Sequence, residues 1–139
     1  MEFRRDLERQ ATEQIDSVLA LAGEVRTMIE QDDSFRSYTD KEKEYYAHKL
    51  SPKEDVLFVV DEISTSGLLV KERLSNYSEH PLDKKTQMDL ALIPLDRFTQ
   101  ELELLHGRTG IHPSPELSRK INAIRVAVDN VLVATRQIG

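Results

Sequence analysis

Three stretches of this chain place apolar residues at alternating steps of four and three, and that spacing constrains its fold more than any other feature. Val56, Val60, Ile63, Gly67, Val70, Leu74 and Tyr77 form one run. Met88, Leu92, Leu95, Thr99, Leu102 and Leu105 form a second, and Leu117, Ile121, Ile124, Val128, Val131, Thr135 and Ile138 a third. A repeat of about three and a half residues holds one stripe on one side of an α-helix. A strand would alternate by two, and the many β-branched residues lower helix propensity only slightly. A fourth stripe runs through residues 2–31, with Phe3, Leu7, Ala11, Ile15, Val18, Ala22, Val25 and Ile29 stepping by three or four.

Capping and breaking residues divide these helices. The polar cluster Gln31-Asp32-Asp33-Ser34 ends the first. Thr39 or Asp40 then caps a short helix whose apolar residues are Tyr45, Tyr46 and Leu50. Ser51-Pro52-Lys53-Glu54 joins a serine cap, a proline at the first helical position and a glutamate at the third, so a long helix starts at Pro52. Gly67 falls within its seam and marks a close approach by another helix, since glycine there costs about 1 kcal/mol against alanine. That helix ends before Pro81, and the next spans about Asp83 to His106. Pro94 lies inside it and predicts a kink or break, and Gly107 predicts its stop. Ser114-Pro115 repeats the serine-proline start for the last helix.

Short connections between heptad seams make neighbours antiparallel. The expected fold is all-α: an antiparallel three- or four-helix bundle with an additional N-terminal helix. The expected organisation is a three-helix bundle over 51–139, preceded by a helical segment over 1–50. The stripe on residues 2–31 must be buried, either by packing on the bundle or by pairing two copies of the chain.

Composition narrows the function. The 139 residues include no cysteine, which excludes disulfides, thiolate nucleophiles, iron–sulfur clusters and cysteine zinc sites. The longest apolar run near the middle, Val56 to Val60, is too short to span a bilayer, and the opening residues lack the apolar core of a secretory signal. The expectation is a soluble, cytoplasmic protein. Net charge is −6, and only residues 114–139 are net positive, through Arg119, Lys120, Arg125 and Arg136. That is no basic footprint for nucleic acid, so a protein partner is expected instead.

Catalytic patterns are sparse. His48, His80, His106 and His112 show no metal-ligand spacing, and phosphate-loop, dinucleotide and nucleophile-elbow motifs are missing. Gly107-Arg108-Thr109-Gly110 reads as a helix stop and turn rather than a phosphate nest. Glu101/Glu103 and Asp61/Glu62 are too closely spaced to face each other on a helix. Neither an enzyme, a cofactor nor a metal is expected. As a remote alternative, Arg9, Ile15, Asp16, Leu19 and Leu21 resemble the opening helix of the all-helical chorismate mutases. That chemistry needs several cations converging on a dicarboxylate, and the further residue sets are not found.

Thr99-Gln-Glu-Leu-Glu-Leu-Leu-His106, followed after a loop by Leu117-Ser-Arg-Lys-Ile-Asn-Ala-Ile-Arg-Val126, resembles the BAG domain family over about residues 52–138. The resemblance implies a three-helix bundle that binds the ATPase domain of DnaK-type chaperones and promotes nucleotide release. It places the partner-binding acids of the second helix at Asp96 and Glu103, and the third helix's Arg-Lys pair at Arg119 and Lys120. The chain departs from the family at His106, where an aspartate is usual, at Ala127, where a contacting glutamine is common, and at Pro94. Without exchange activity, the same helices would make an adaptor or structural bundle for another protein partner.

Overall fold

Six helices run through residues 2–47, 49–75 and 84–138, the residues that the computed structural model describes; among them there is no strand. In order they are α1 (Glu2–Gln31), α2 (Asp40–Tyr45), α3 (Pro52–Ser75), α4 (Lys84–Glu103), α5 (Leu105–Thr109) and α6 (Pro115–Ile138). Tyr77, Pro81, the helix start at Asp83, His48 and His80 lie outside the described residues.

The serine starts are as the sequence predicts. Ser51 Oγ accepts from the Glu54 N–H at 3.3 Å, and Ser114 Oγ accepts from the Leu117 N–H at 3.1 Å. At α2 the cap is Thr39, in a reciprocal box with Glu42. Arg36 holds the Glu42 carboxylate in a forked pair at 2.6 and 2.9 Å. The Arg36 hydrogen bond, followed by that from the Thr39 backbone, pulls the Glu42 carboxyl down to about 2. Asp32 organises the preceding turn by accepting from the N–H groups of Ser34 and Phe35, and the turn drives Phe35 into the core.

Two expectations about helix ends need correction. α4 stays helical through Pro94, a half-buried residue on its flank, so of the kink or break expected there the break does not occur. The helix is interrupted instead at Leu104, whose N–H is shared between the carbonyls of Gln100 and Glu101. Gly107 is not the stop but an interior residue of α5. Gly110 is the stop: it takes the left-handed conformation, φ 74°, and its N–H bonds to the His106 carbonyl.

Four long helices form a ring in the order α1, α3, α4, α6, each antiparallel to the next. α1 lies along α3 through Arg26–Asp61 and Lys71–Asp16, both 2.8 Å, and along α6 through Lys120–Glu24 and Asn130–Gln14, both 3.3 Å. α3 and α6 occupy a diagonal and share no extended contact. One hydrophobic cluster takes residues from α1, α3, α4, α5 and α6, on both sides of residue 50. It buries the α1 stripe from Ala11 to Ile29, and Leu7 is buried just before it; Phe3, expected in that stripe, is instead exposed. In the seams Thr99 and Thr135 are buried, and each hydroxyl bonds back to a carbonyl one turn earlier, at 2.7 and 2.8 Å.

Gly67 is the predicted close approach. A Cβ there would lie 3.0 Å from Cδ2 of Leu19 on α1. Gly67→Ala is expected to stay within about 1 kcal/mol of wild type, since improved propensity offsets a small shift of a flexible side chain. Gly67→Leu forces α1 away from α3 and is expected to cost about 1–3 kcal/mol in urea unfolding; equal stability of the two variants would contradict the contact. For Glu42 the folded value is depressed, so its stabilising contribution is present above the ordinary carboxylate value and is lost as pH falls toward 2. Carboxyl NMR titration should give a midpoint near 2 for Glu42. Arg36→Ala should raise that midpoint toward ~4.3.

Candidate partner-binding face

Asp96 and Glu103 are seven residues apart on α4, two turns along one flank, and that flank faces α6. Arg125 of α6 reaches both. Its Nη2 lies 2.6 Å from Asp96 Oδ1 and 2.7 Å from Asp129 Oδ1, and its Nη1 lies 3.4 Å from Glu103 Oε1. Gln100 donates to the other Asp96 oxygen at 3.1 Å. The Arg125 side chain is 16% exposed, against 35% for Asp96 and 39% for Glu103. Burial opposes its charge, but the hydrogen bonds it donates to Asp96 and Asp129 outweigh it and hold the guanidinium above its ordinary value. Its Nε is buried without a partner, so it is held by its terminal nitrogens alone.

The structure therefore unites two of the four expected residues and separates the others. Lys120 turns the other way and pairs with Glu24 on α1. Arg119 is exposed on the outer side of α6. Ala127, at the position where a contacting glutamine would stand, is buried. His106 stacks on His112 with ring centroids 3.7 Å apart. The residue that organises the site, Arg125, was not singled out from sequence. Its signal was Asp129 four residues on, in a helix that must lie beside two acids seven apart.

Apolar side chains stand on the α4 side of this polar furrow: Ile93 lines it, and Leu90, Ile93 and Leu104 are each 60–64% exposed. Val126 and Val133 are exposed on the outer face of α6, and Val133 lines a separate cleft against α1. Beyond the clamp the furrow opens into two shallow clefts. One, of about 210 Å³, is lined by Leu102, Glu103, His106, Pro113, Ile121 and Asn122 among others. The other, of about 190 Å³, includes Asp89, Leu92, Ile93, Asp96, Leu132 and Arg136. α4 and α6 make the least extensive contact in the ring, which leaves the furrow open between them.

A second arginine binds the far flank of α4. Arg108 on α5 pairs with Asp55 of α3 at 2.6 and 2.8 Å and with Glu101 of α4 at 2.7 Å. It borders a cleft of about 370 Å³ with Tyr38, Lys49 and Leu50. Arg108 was expected in a loop; it lies on a helix, with its guanidinium folded back onto carboxylates. Among the described residues no three His, Asp or Glu side chains are grouped to hold a metal ion, and no helix is long and apolar enough to cross a membrane.

No protein-family model matches the chain, and neither a curated protein nor a solved structure is significantly similar to it.

Replacing Arg125 by leucine leaves three carboxylates facing each other across a half-buried seam. Exposed pairs are worth about 0–1 kcal/mol, and breaking buried ones costs about 3–5. Arg125→Leu is therefore expected to lose about 1–3 kcal/mol in urea unfolding, with part of the loss recovered in high salt. Wild-type stability in this variant would mean that the clamp does not hold α4 to α6.

Proposed function

We propose that this chain is a non-enzymatic protein-interaction domain whose partner docks along the furrow between α4 and α6. In its specific form the proposal is a BAG-like co-chaperone that binds the ATPase domain of a DnaK-type chaperone and promotes nucleotide release. The observation supporting it is the pair of half-exposed carboxylates, Asp96 and Glu103, held side by side by Arg125 next to exposed Ile93. A carboxylate has lone pairs to spare beyond one arginine, so each acid can accept charge-assisted hydrogen bonds from a partner. Fixing both acids before binding reduces the ordering cost of association. A rigid bundle on one conformation of a two-lobed partner shifts the population toward it and weakens its grip on nucleotide, with no chemistry by this chain.

One observation favours the adaptor reading, in which a protein binds without exchange. The resemblance implies three helices packed on one another, whereas here α1 stands between α3 and α6 as a fourth wall. The two readings separate in one assay: release of a fluorescent nucleotide from a DnaK-type ATPase domain with increasing amounts of the full chain. Exchange activity predicts faster release that saturates, and a loss of at least about tenfold in affinity for Asp96→Ala and for Glu103→Ala, equivalent to about 1.4 kcal/mol. Unchanged release at saturating protein rejects the co-chaperone reading. Wild-type affinity in both variants rejects these site residues.

A further inference from the structure

The stripe on α1 is buried within the chain, so two folded copies would meet through another surface. The outward ridge of α4 offers one. Leu90 and Ile93 are exposed along it, one turn apart on one side of the helix, and Leu104 is exposed just past its end. On the α3 flank, half-exposed Phe58 meets Phe98 edge-on at 6.1 Å and extends the apolar surface.

The charges on this ridge are arranged about Ile93. Asp89 stands four residues before it and Arg97 four after, each about one turn away on either side. Among the described residues neither makes an ion pair or side-chain hydrogen bond; Asp89 borders the cleft that also holds Arg136, without pairing to it. An opposite-charge pair placed symmetrically about an exposed isoleucine is self-complementary under a two-fold axis. If two copies of α4 cross antiparallel at Ile93, Asp89 of each lies opposite Arg97 of the other. The alternative registers are disfavoured. A parallel pairing sets each charge against its own kind, and centring on Arg97 stacks two guanidinium groups.

We propose that the chain forms an antiparallel homodimer through the α4 ridge, centred on Ile93, with Asp89 and Arg97 making two symmetric intermolecular ion pairs. This does not depend on the co-chaperone reading, although the dimer covers part of the furrow's α4 border and so competes with a partner there. A contact made mainly by one helix lies at the small end of interface sizes, so the dimer is reversible and concentration-dependent.

Sedimentation equilibrium of the full chain alone tests it, across nanomolar to hundreds of micromolar protein. The wild type is expected to pass from one to two chain masses. Ile93→Glu, at an exposed position, should remain monomeric with an unchanged melting curve. Asp89→Arg alone and Arg97→Asp alone should each weaken the dimer at least about tenfold, because each creates two like-charge contacts. The double variant Asp89→Arg/Arg97→Asp restores opposite charges and should recover dimerisation. A chain that stays monomeric throughout overturns the proposal. So does a dimer that survives Ile93→Glu, one that ignores the single reversals, or one that the double reversal fails to restore. None of these measurements contains a chaperone, so their failure is distinct from failure of the exchange assay.

Discussion

The apolar stripe of α1 is the contact on which the rest of the bundle depends. α3 and α6 stand on a diagonal, and α1 covers one flank of each. Leu7, Ile15, Val18, Val25 and Ile29 are all buried there. Full burial of such side chains is worth about 1.5–3 kcal/mol each, so the five together contribute on the order of 10 kcal/mol before the entropy of ordering the helix is subtracted. A domain's net stability is about 5–15 kcal/mol. A term of that size decides whether the other three helices hold together. Gly67 belongs to the same interface, because a side chain there would meet Leu19.

With α1 and α3 closely packed on one side of the ring, the open seam lies on the other. α4 and α6 meet over a shorter contact, and charge supplements packing there: Arg125 joins three carboxylates, while Thr99 and Thr135 satisfy their hydroxyls within their own helices. The arrangement leaves a furrow with a fixed polar floor and exposed Ile93 on its α4 side. Arg108 performs a similar task on the other flank of α4, tying it to α3 through Asp55. The two arginines anchor α4 from both sides, so its outward ridge projects from a rigid support. A rigid ridge suits recognition of another protein surface.

Much of the architecture was legible in spacing alone. The four-three steps gave the core positions of α1, α3, α4 and α6, and the Ser-Pro pairs located the starts of α3 and α6. What spacing cannot convey is which helix lies beside which, since every amphipathic stripe is content with any apolar neighbour. The place of α1 between α3 and α6 therefore emerged only from the packing. Local breakers fix helix ends less well: Pro94 lies inside α4 without breaking it, and the left-handed residue that ends α5 is Gly110 rather than Gly107. The candidate site was half legible. Asp96 and Glu103 share a flank by their spacing, but their partner Arg125 comes from another helix, and Lys120 sits on the opposite side of α6, against α1.

Expressing residues 51–139 alone, and following their urea unfolding and mass in solution, tests the dependence on α1 most directly. Loss of a term on the order of 10 kcal/mol predicts a fragment without a cooperative transition, or one that associates through its exposed α3 and α6 stripes. Adding a peptide of residues 2–31 should restore a folded complex of one fragment and one peptide. A monomeric fragment that unfolds cooperatively with the stability of the full chain would contradict the account.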